Sequence, residues 1–495
     1  MNDKFDIIII GSGAGGLTAA SFAAQKGYKV LVLEQHAIPG GYLHGFKRKG
    51  FFFDSAVYSI AGCGKNGYVK YLLDKLGIYE KMEFLEYKSI YRIILPDSDV
   101  VLPTGIENFK NHLVNLFPHE KDNIDAIITE MTMLYEMMEM EKFGHKTDPK
   151  AMMAILQKWG KKSYGEFIDA YISDEKLRRI FYSLWLFCNL PEKKASCLFA
   201  VLMLMIHIVE GTHCIKGGCD MLAENLVKYI EEHDGVVRYS SMAECIIMED
   251  GKARGVRLSD GTEFYSDAVI AGCNAKSVLQ KLVSDKDSIS GVVKRRIEKL
   301  EPALSSFAMY FAARVDNAVK NPFGEANQIF YLEENDNDAI YDACLNEKNG
   351  VFKNLLITEI PGEQKDGVKT FNVYSLMSYD RSQDWAMVKK KLSEKLSEKV
   401  KKILGGYIKE IVVSEFGTPA TFYRYALNEK GSMYGFENTC DPYKGLKLDN
   451  KTGIANLFFA GHWTQPGGSV YNAMTSGYNA FELAAGIFKR NEKVI

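Results

Sequence analysis

The chain has 495 residues, 47% hydrophobic and 25% charged, with 28 Phe and 27 Tyr, so it can bury one large core or two. A formal net charge of −2 gives no electrostatic case for a nucleic-acid partner. Its nine cysteines form no C-x-x-C pair, Cys214 and Cys219 being the closest two, so neither a zinc site nor a disulfide framework is expected and cytoplasmic, reduced thiols are the simplest reading.

Met1-Asn-Asp-Lys leads into the first strand with no signal-peptide pattern. Ile7 to Ile10 are four apolar residues in a row and predict a strand buried on both faces. Gly11, Gly13 and Gly16 follow at G-x-G-x-x-G spacing, with Ser12, Ala14 and Gly15 between them. The first glycine permits a tight turn, the second lets backbone approach a pyrophosphate, and the third lets a helix pack closely on the strand. A helix predicted from about Gly15 to Lys26 turns its N-terminal N–H groups and positive dipole end toward the phosphates. A second strand, Lys29 to Leu33, ends at Glu34, where a carboxylate accepts hydrogen bonds from adenosine ribose hydroxyls. G-x-G-x-x-G alone is a weak signal; strand, glycines, helix, strand and acid in register define a dinucleotide site. Gly40-Gly41 then gives a second close backbone approach.

Phe46 to Asp54 predicts a hairpin with basic residues at its turn, and Tyr68 to Gly77 a helix. Ile90–Leu95 and Val100–Leu102 are short strands joined around Pro96. From about Ile106 to Ile208 the pattern is mostly helical, with a methionine-rich run from Met131 to Met140 that reads as helix core. Cys197 to Val209 is the longest strongly apolar run and contains His207; it is too short to span a bilayer. It reads as a buried helix, with a tunnel-lining or membrane-dipping helix as the alternative.

Ile215-Lys-Gly-Gly218 precedes an amphipathic helix, Met221 to His233. Strands follow over Gly235–Tyr239, Ala243–Met248 and Ala253–Leu258, with turns at Asp250-Gly251 and Asp260-Gly261, and a buried strand over Asp267–Ala271. Further strands are predicted over Glu301–Val315, Gln328–Leu332, Leu355–Ile360 and Val368–Ser378. Ser382 to Leu404 is a long helix whose Lys and Glu residues form a solvated face. Thr418 to Asn438 reads as loop rich in aromatics. A short apolar strand, Asn456 to Gly461, leads to Pro466-Gly-Gly468 and a helix from about Val470 to Lys489. This closing segment and Gly40-Gly41 point to FAD rather than NAD, because the end of the chain must return to the first unit.

Together these pieces resemble the carotenoid isomerase, phytoene desaturase and retinol saturase group of FAD-dependent oxidoreductases along most of the chain. Pro39-Gly-Gly-Tyr-Leu-His-Gly-Phe-Lys-Arg-Lys-Gly-Phe-Phe-Phe-Asp-Ser55 is similar to the group's segment after the second strand. Ile215-Lys-Gly-Gly218 resembles its K-G-G element. Thr418-Pro-Ala-Thr-Phe-Tyr-Arg-Tyr425 and Gly431-Ser-Met-Tyr-Gly435 look like its substrate-side motif. Asn456-Leu-Phe-Phe-Ala-Gly-His-Trp-Thr-Gln-Pro-Gly-Gly468 looks like its C-terminal flavin motif. Two positions depart. Ala56 stands where relatives often have glycine, and His462 stands where many FAD enzymes have aspartate.

The resemblance implies an α/β fold. A Rossmann-type, glutathione-reductase-like FAD/NAD(P)-binding domain (1–80, 210–295 and 440–495) interleaves with an α+β substrate domain (81–209 and 296–439) that has a mixed sheet and a helical insertion. It places phosphates over Gly11 to Gly16, with Ser12, Ala14 and Gly15 contributing backbone, and ribose on Glu34. It sets Gln35, Gly40, Gly41, Tyr42 and His44 beside the dinucleotide and Ala243 against the adenine. Gly461, His462, Gly468, Ser469, Val470 and Tyr471 flank the flavin. A helix N-terminus near Ser469 would stabilise negative charge on the reduced ring.

The expected activity is saturation, desaturation or cis–trans isomerisation at C–C or C=C bonds of a long apolar isoprenoid, polyene or unsaturated lipid. The alternative is a flavin amine oxidase-like enzyme on a smaller substrate, although Tyr42 stands where those enzymes usually place arginine. A non-redox flavoprotein or apolar-ligand carrier is the third class. Tyr434, Tyr425, Tyr471 and His462 are the candidate proton-transfer residues. No metal is expected, and NAD(P)H is a candidate electron donor. The partner is an apolar small molecule, with peripheral membrane contact open and oligomeric state undetermined.

Overall fold

The alternation of the first strand sorts the molecule into two layers. In a computed structural model, which describes residues 4–144, 148–346, 350–362, 367–441 and 448–492, β1 spans Lys4–Ile10. The leader Met1 to Asp3 lies outside the described residues. Ile7 and Ile9 join one apolar core, and Ile8 and Ile10 join another. Side chains alternate along a strand, so an unbroken Ile run has to be covered on both faces. Helix α1 (Ala14–Gln25) and strand β2 (Val30–Leu33) follow.

β1 lies parallel to β2 on one side and to Glu263–Ala271 on the other. The seven-stranded sheet is extended by Val236–Arg238 beside β2, and by Lys252–Leu258 and Ala243–Glu249 beyond Glu263–Ala271. The closing strand Leu457–Phe459 pairs with Glu263–Ala271, so the C-terminal segment does return to the first unit. The final helix, Val470–Glu492, then runs against α1. The contact is close because it is built from glycine. A Cβ on Gly15 would lie 2.7 Å from the Cα of Gly461, and one on Gly477 would lie 2.1 Å from the carbonyl oxygen of Gly15.

A second seven-stranded sheet runs in the order Ile408–Gly417, Ser305–Val315, Val368–Met377, Asn354–Glu359, Gln328–Leu332, Ser89–Leu95, Ser98–Pro103. It is mixed, since Gln328–Leu332 and Ser89–Leu95 are parallel and the other pairs antiparallel. One face packs on the helix Trp385–Leu404 through Leu392, Leu396, Val400 and Leu404, a four-residue repeat that leaves its Lys and Glu outward. The other face, including Tyr310, Leu356, Tyr374 and Leu376, joins the main core with the helical insertion. The apolar run forms a helix over Cys197–Val209 and is largely buried. Among the described residues no helix is long and apolar enough to cross a membrane.

The structure departs from the sequence reading in four elements. Ile408–Gly417 is an unpredicted edge strand; register shifts opposite Ala312–Ala313 and Arg314–Val315 break the alternation that would have marked it. The aromatic segment after Thr418 is not all loop. Pro419–Ala426 is a helix started by a Thr418–Thr421 capping box with proline in its first turn. Helices Gly291–Lys299 and Asn337–Asn346 were also unpredicted.

Substituting Gly477→Ala is expected to destabilise the fold by about 1–3 kcal/mol through overpacking against Gly15. Gly486→Ala, in the same helix with nothing within 4 Å of the added methyl, should be neutral or stabilising by up to ~1 kcal/mol. Denaturant unfolding of the two variants checks the contrast.

Candidate functional site

The carboxyl ends of β1 and β2 open on a cavity of about 250 Å³ that reaches between the two sheets. A second hollow of about 520 Å³ adjoins it, with Gln35 and Cys273 lining both.

At the nucleotide end, α1 begins at Gly13 with no side-chain cap, so its first N–H groups are free for a ligand. Nothing lies within 4 Å of where a Cβ on Gly13 would stand. Glu34 is buried, and its orientation is fixed. Oε2 accepts from the Ser12 N–H at 2.8 Å and the Ser12 hydroxyl at 2.6 Å, and Oε1 accepts from the His36 N–H at 2.8 Å. Ser12 is itself fully buried, so its part is to orient the carboxylate. Gly40 donates its N–H to the Ser12 carbonyl at 2.9 Å, and Gly40 and Gly41 take φ of 110° and 56°, which only glycine adopts cheaply. Gly11, Gln35 and Ala243 line the larger hollow, while Gly13, Ala14, Gly15, Glu34, Gly40 and Gly41 line the cavity. Gly16 is packing: a Cβ there would lie 2.1 Å from the carbonyl oxygen of Gly11.

On the opposite wall, Gly461, His462, Ser469, Val470 and Tyr471 face the same cavity. The hydroxyl of Ser469 accepts from the Asn472 N–H at 3.1 Å, capping the start of the final helix there. Gly468 is not in the wall; it packs on Tyr434, 2.7 Å from that residue's carbonyl oxygen to an added Cβ. His462 stacks on Tyr42 with ring centroids 6.0 Å apart, and the Tyr42 hydroxyl donates to the Ser432 carbonyl at 2.8 Å.

The four proton-transfer candidates separate. Tyr434 lines the cavity, and burial pushes its phenol up to about 12, so it stays protonated. Its hydroxyl makes no hydrogen bond among the described residues. Tyr471 lines the wall, but its hydroxyl is committed elsewhere, donating to Glu139 at 2.5 Å with Glu210 at 3.1 Å. Tyr425 is 40% exposed and stands at the mouth, where Arg424 donates to its hydroxyl at 3.1 Å. His462 is held in the Tyr42 stack. His44 lies outside the cavity wall, in an adjoining groove with His36 and Tyr425.

Sequence reasoning did not single out Tyr58, Tyr374 and Asn428 in the wall, and it gave the Cys197–Val209 helix a tunnel-lining role only as the alternative, whereas Met203, Ile206 and His207 of that helix do line the cavity. Tyr58 and Tyr374 stack at 5.8 Å from elements far apart in the chain. Asn428 accepts from the Trp463 indole at 3.0 Å. His207 was visible as a polar residue in an apolar helix, but its direction was not.

Behind Tyr471 lies a buried acid cluster. Glu210 accepts from the Tyr68 N–H at 2.9 Å and the Tyr135 hydroxyl at 2.8 Å, while Lys142 contacts both oxygens of Glu139 at 2.8 and 2.6 Å. Burial, with Glu139 adding to it, raises the Glu210 carboxyl to about 7. The unfolded carboxyl releases its proton near 4.5. Between those pH values the unfolded state binds fewer protons, so stability falls as pH rises.

The donor set fits a dinucleotide that carries a flavin: an uncapped helix N-terminus, an oriented carboxylate at the end of β2, and a second helix start on the opposite wall. The chain belongs to the flavin-containing amine oxidoreductase family, which matches residues 14–482. It is similar to prolycopene isomerase of Daucus carota, 27% identical over 96% of this chain and 79% of that protein. It is similar to all-trans-retinol 13,14-reductase of Danio rerio, 22% identical over 99% and 90%. It is also similar to the neurosporene-forming phytoene desaturase of Rhodobacter capsulatus, 23% identical over 95% and 92%. A solved oxidoreductase from Methanosarcina mazei shares the fold with a TM-score of 0.66, at 16% identity over 97% of this chain and 100% of that one. The protein is a flavin-dependent oxidoreductase or isomerase with a Rossmann-type FAD domain, and the family implies FAD as its cofactor.

Two outcomes follow. Glu210→Gln, which removes the titration, should lose less stability than the wild type between pH 5 and pH 8, by about 3 kcal/mol at most; unfolding at both pH values measures this. Glu34→Ala should weaken FAD retention ~10–100-fold through loss of charged hydrogen bonds, read as flavin absorbance after dialysis.

Proposed function

We propose that this protein saturates, desaturates or isomerises C=C or C–C bonds of a long apolar substrate, of isoprenoid, polyene or unsaturated-lipid type. The observation that carries the reading is the cavity wall away from the nucleotide end. Leu186, Phe187, Met203, Ile206, Leu356 and Leu376 make it apolar. Among the described residues of that wall, Glu34 is the one carboxylate, and it stands at the nucleotide end. A protonated amine in the apolar part would be a buried charge without a partner, which is costly. This favours an alkene over the amine alternative.

Bound FAD supplies the hydride acceptor or donor. The protein's own part is to exclude water, hold the chain flat against the wall and, where the reaction is a saturation, deliver from the Tyr434 hydroxyl the one proton that accompanies the hydride. His462 and Tyr42 form a stacked plate beside Gly461. NAD(P)H is the proposed electron donor for a net reduction. An apolar substrate of this length partitions into membranes, so cytoplasmic location with peripheral membrane contact belongs to the same proposal.

Anaerobic incubation of the holoenzyme with retinoid, carotenoid and unsaturated fatty-acid panels, read by chromatography, should show turnover of at least one alkene. Peroxide release from amines, with no alkene turned over, would sink the reading. Bleaching of the flavin band by NADH or NADPH identifies the donor. Tyr434→Phe is expected to cut a saturation reaction ~100-fold or more while leaving substrate binding intact.

A further inference from the structure

His207 is a polar residue set among apolar side chains of the cavity wall. It is the eleventh residue of the Cys197–Val209 helix, 7% exposed, and shares its wall with Met203, Ile206, Leu186 and Phe187. Phe187 stacks on the imidazole at 4.9 Å with 16° between planes, and Phe330 meets Phe187 edge-on at 4.8 Å. Nδ1 pairs with the Thr212 hydroxyl at 2.7 Å. The ring is therefore held on two sides. Its other nitrogen, Nε2, makes no hydrogen bond among the described residues.

Burial lowers the imidazole to about 4, so it is neutral at physiological pH. A neutral ring gives a carboxylate or phosphate head group no countercharge, and an anion buried in an apolar wall without one is costly. The ring does call for one neutral hydrogen-bonding partner, because a buried polar atom without one is costly. The Thr212 hydroxyl can donate to Nδ1 or accept from it, so Nε2 is a donor in one tautomer and an acceptor in the other. A hydroxyl satisfies both; a carbonyl or ether satisfies one.

Resting on the proposed apolar substrate, we infer that His207 binds a terminal hydroxyl, so that the substrate is a long-chain alcohol rather than a pure hydrocarbon. His207 is then a specificity-determining residue that sets how far the chain enters and which carbon–carbon bond is held beside Gly461 and Tyr434. Tyr374 does not offer the same contact, since its hydroxyl donates to the Ser55 carbonyl at 3.3 Å.

The test uses farnesol and farnesene, a matched isoprenoid alcohol and hydrocarbon, titrated into the holoenzyme and followed by perturbation of the flavin spectrum. In His207→Phe the preference for farnesol over farnesene should fall about 10-fold relative to wild type, with farnesene binding unchanged or tighter. His207→Gln, which keeps a donor and an acceptor, should retain most of the preference. A second readout needs no variant fold: in the wild type, the His207 imidazole nitrogen resonances should shift with farnesol and not with farnesene. An unchanged preference in His207→Phe, or equal shifts with both probes, overturns the inference and leaves the apolar-substrate reading standing. Failure of the wild type to bind either probe overturns that reading instead.

Discussion

The structure depends on three stretches of backbone that meet without side chains between them. Gly16 closes on the turn at Gly11, Gly15 faces Gly461, and Gly477 rests on the carbonyl of Gly15. Each separation is shorter than a methyl group tolerates. This steric constraint brings the uncapped start of α1, the carboxylate at the end of β2 and the start of the final helix to one cavity. The first and last parts of the chain thus build one site, although more than four hundred residues lie between them in sequence.

The cavity asks for opposite chemistry at its two ends. The nucleotide end offers N–H groups, a helix dipole and an oriented carboxylate, all suited to phosphate and ribose. The far wall offers aliphatic and aromatic surface, and its polar side chains, among them His207, Tyr374, Asn354 and Asn428, carry no countercharge. That division lets a polar cofactor anchor itself by charge and hydrogen bonds while an apolar chain is held by burial alone.

The buried acid cluster ties these parts together. Tyr471 belongs to the final helix, Glu139 and Lys142 to the helical insertion, and Glu210 to the segment that follows the apolar helix. A polar network in a dry interior is stable only when its members are satisfied, so it fixes the start of the final helix against the insertion. The positions of Val470 and Tyr471 in the cavity wall follow from that anchorage.

Much of the scaffold is written locally. The Ile7–Ile10 run, the glycine spacing, Glu34 and the turns at Asp250-Gly251 and Asp260-Gly261 each depend on near neighbours, and periodicity and turn chemistry reveal them. So does the Cys197–Val209 helix, whose bounds the apolar run marks. The edge strand Ile408–Gly417 was illegible because bulges interrupt its alternation, and the Pro419–Ala426 helix was hidden by its aromatic, loop-like composition despite a capping box. The site was legible only at its nucleotide end. Which way Tyr471 turns its hydroxyl, that Tyr58 meets Tyr374, and that His207 lines the cavity were decided by tertiary packing. These contacts join residues from different sheets and the insertion, and no local spacing encodes a meeting that depends on how whole layers dock.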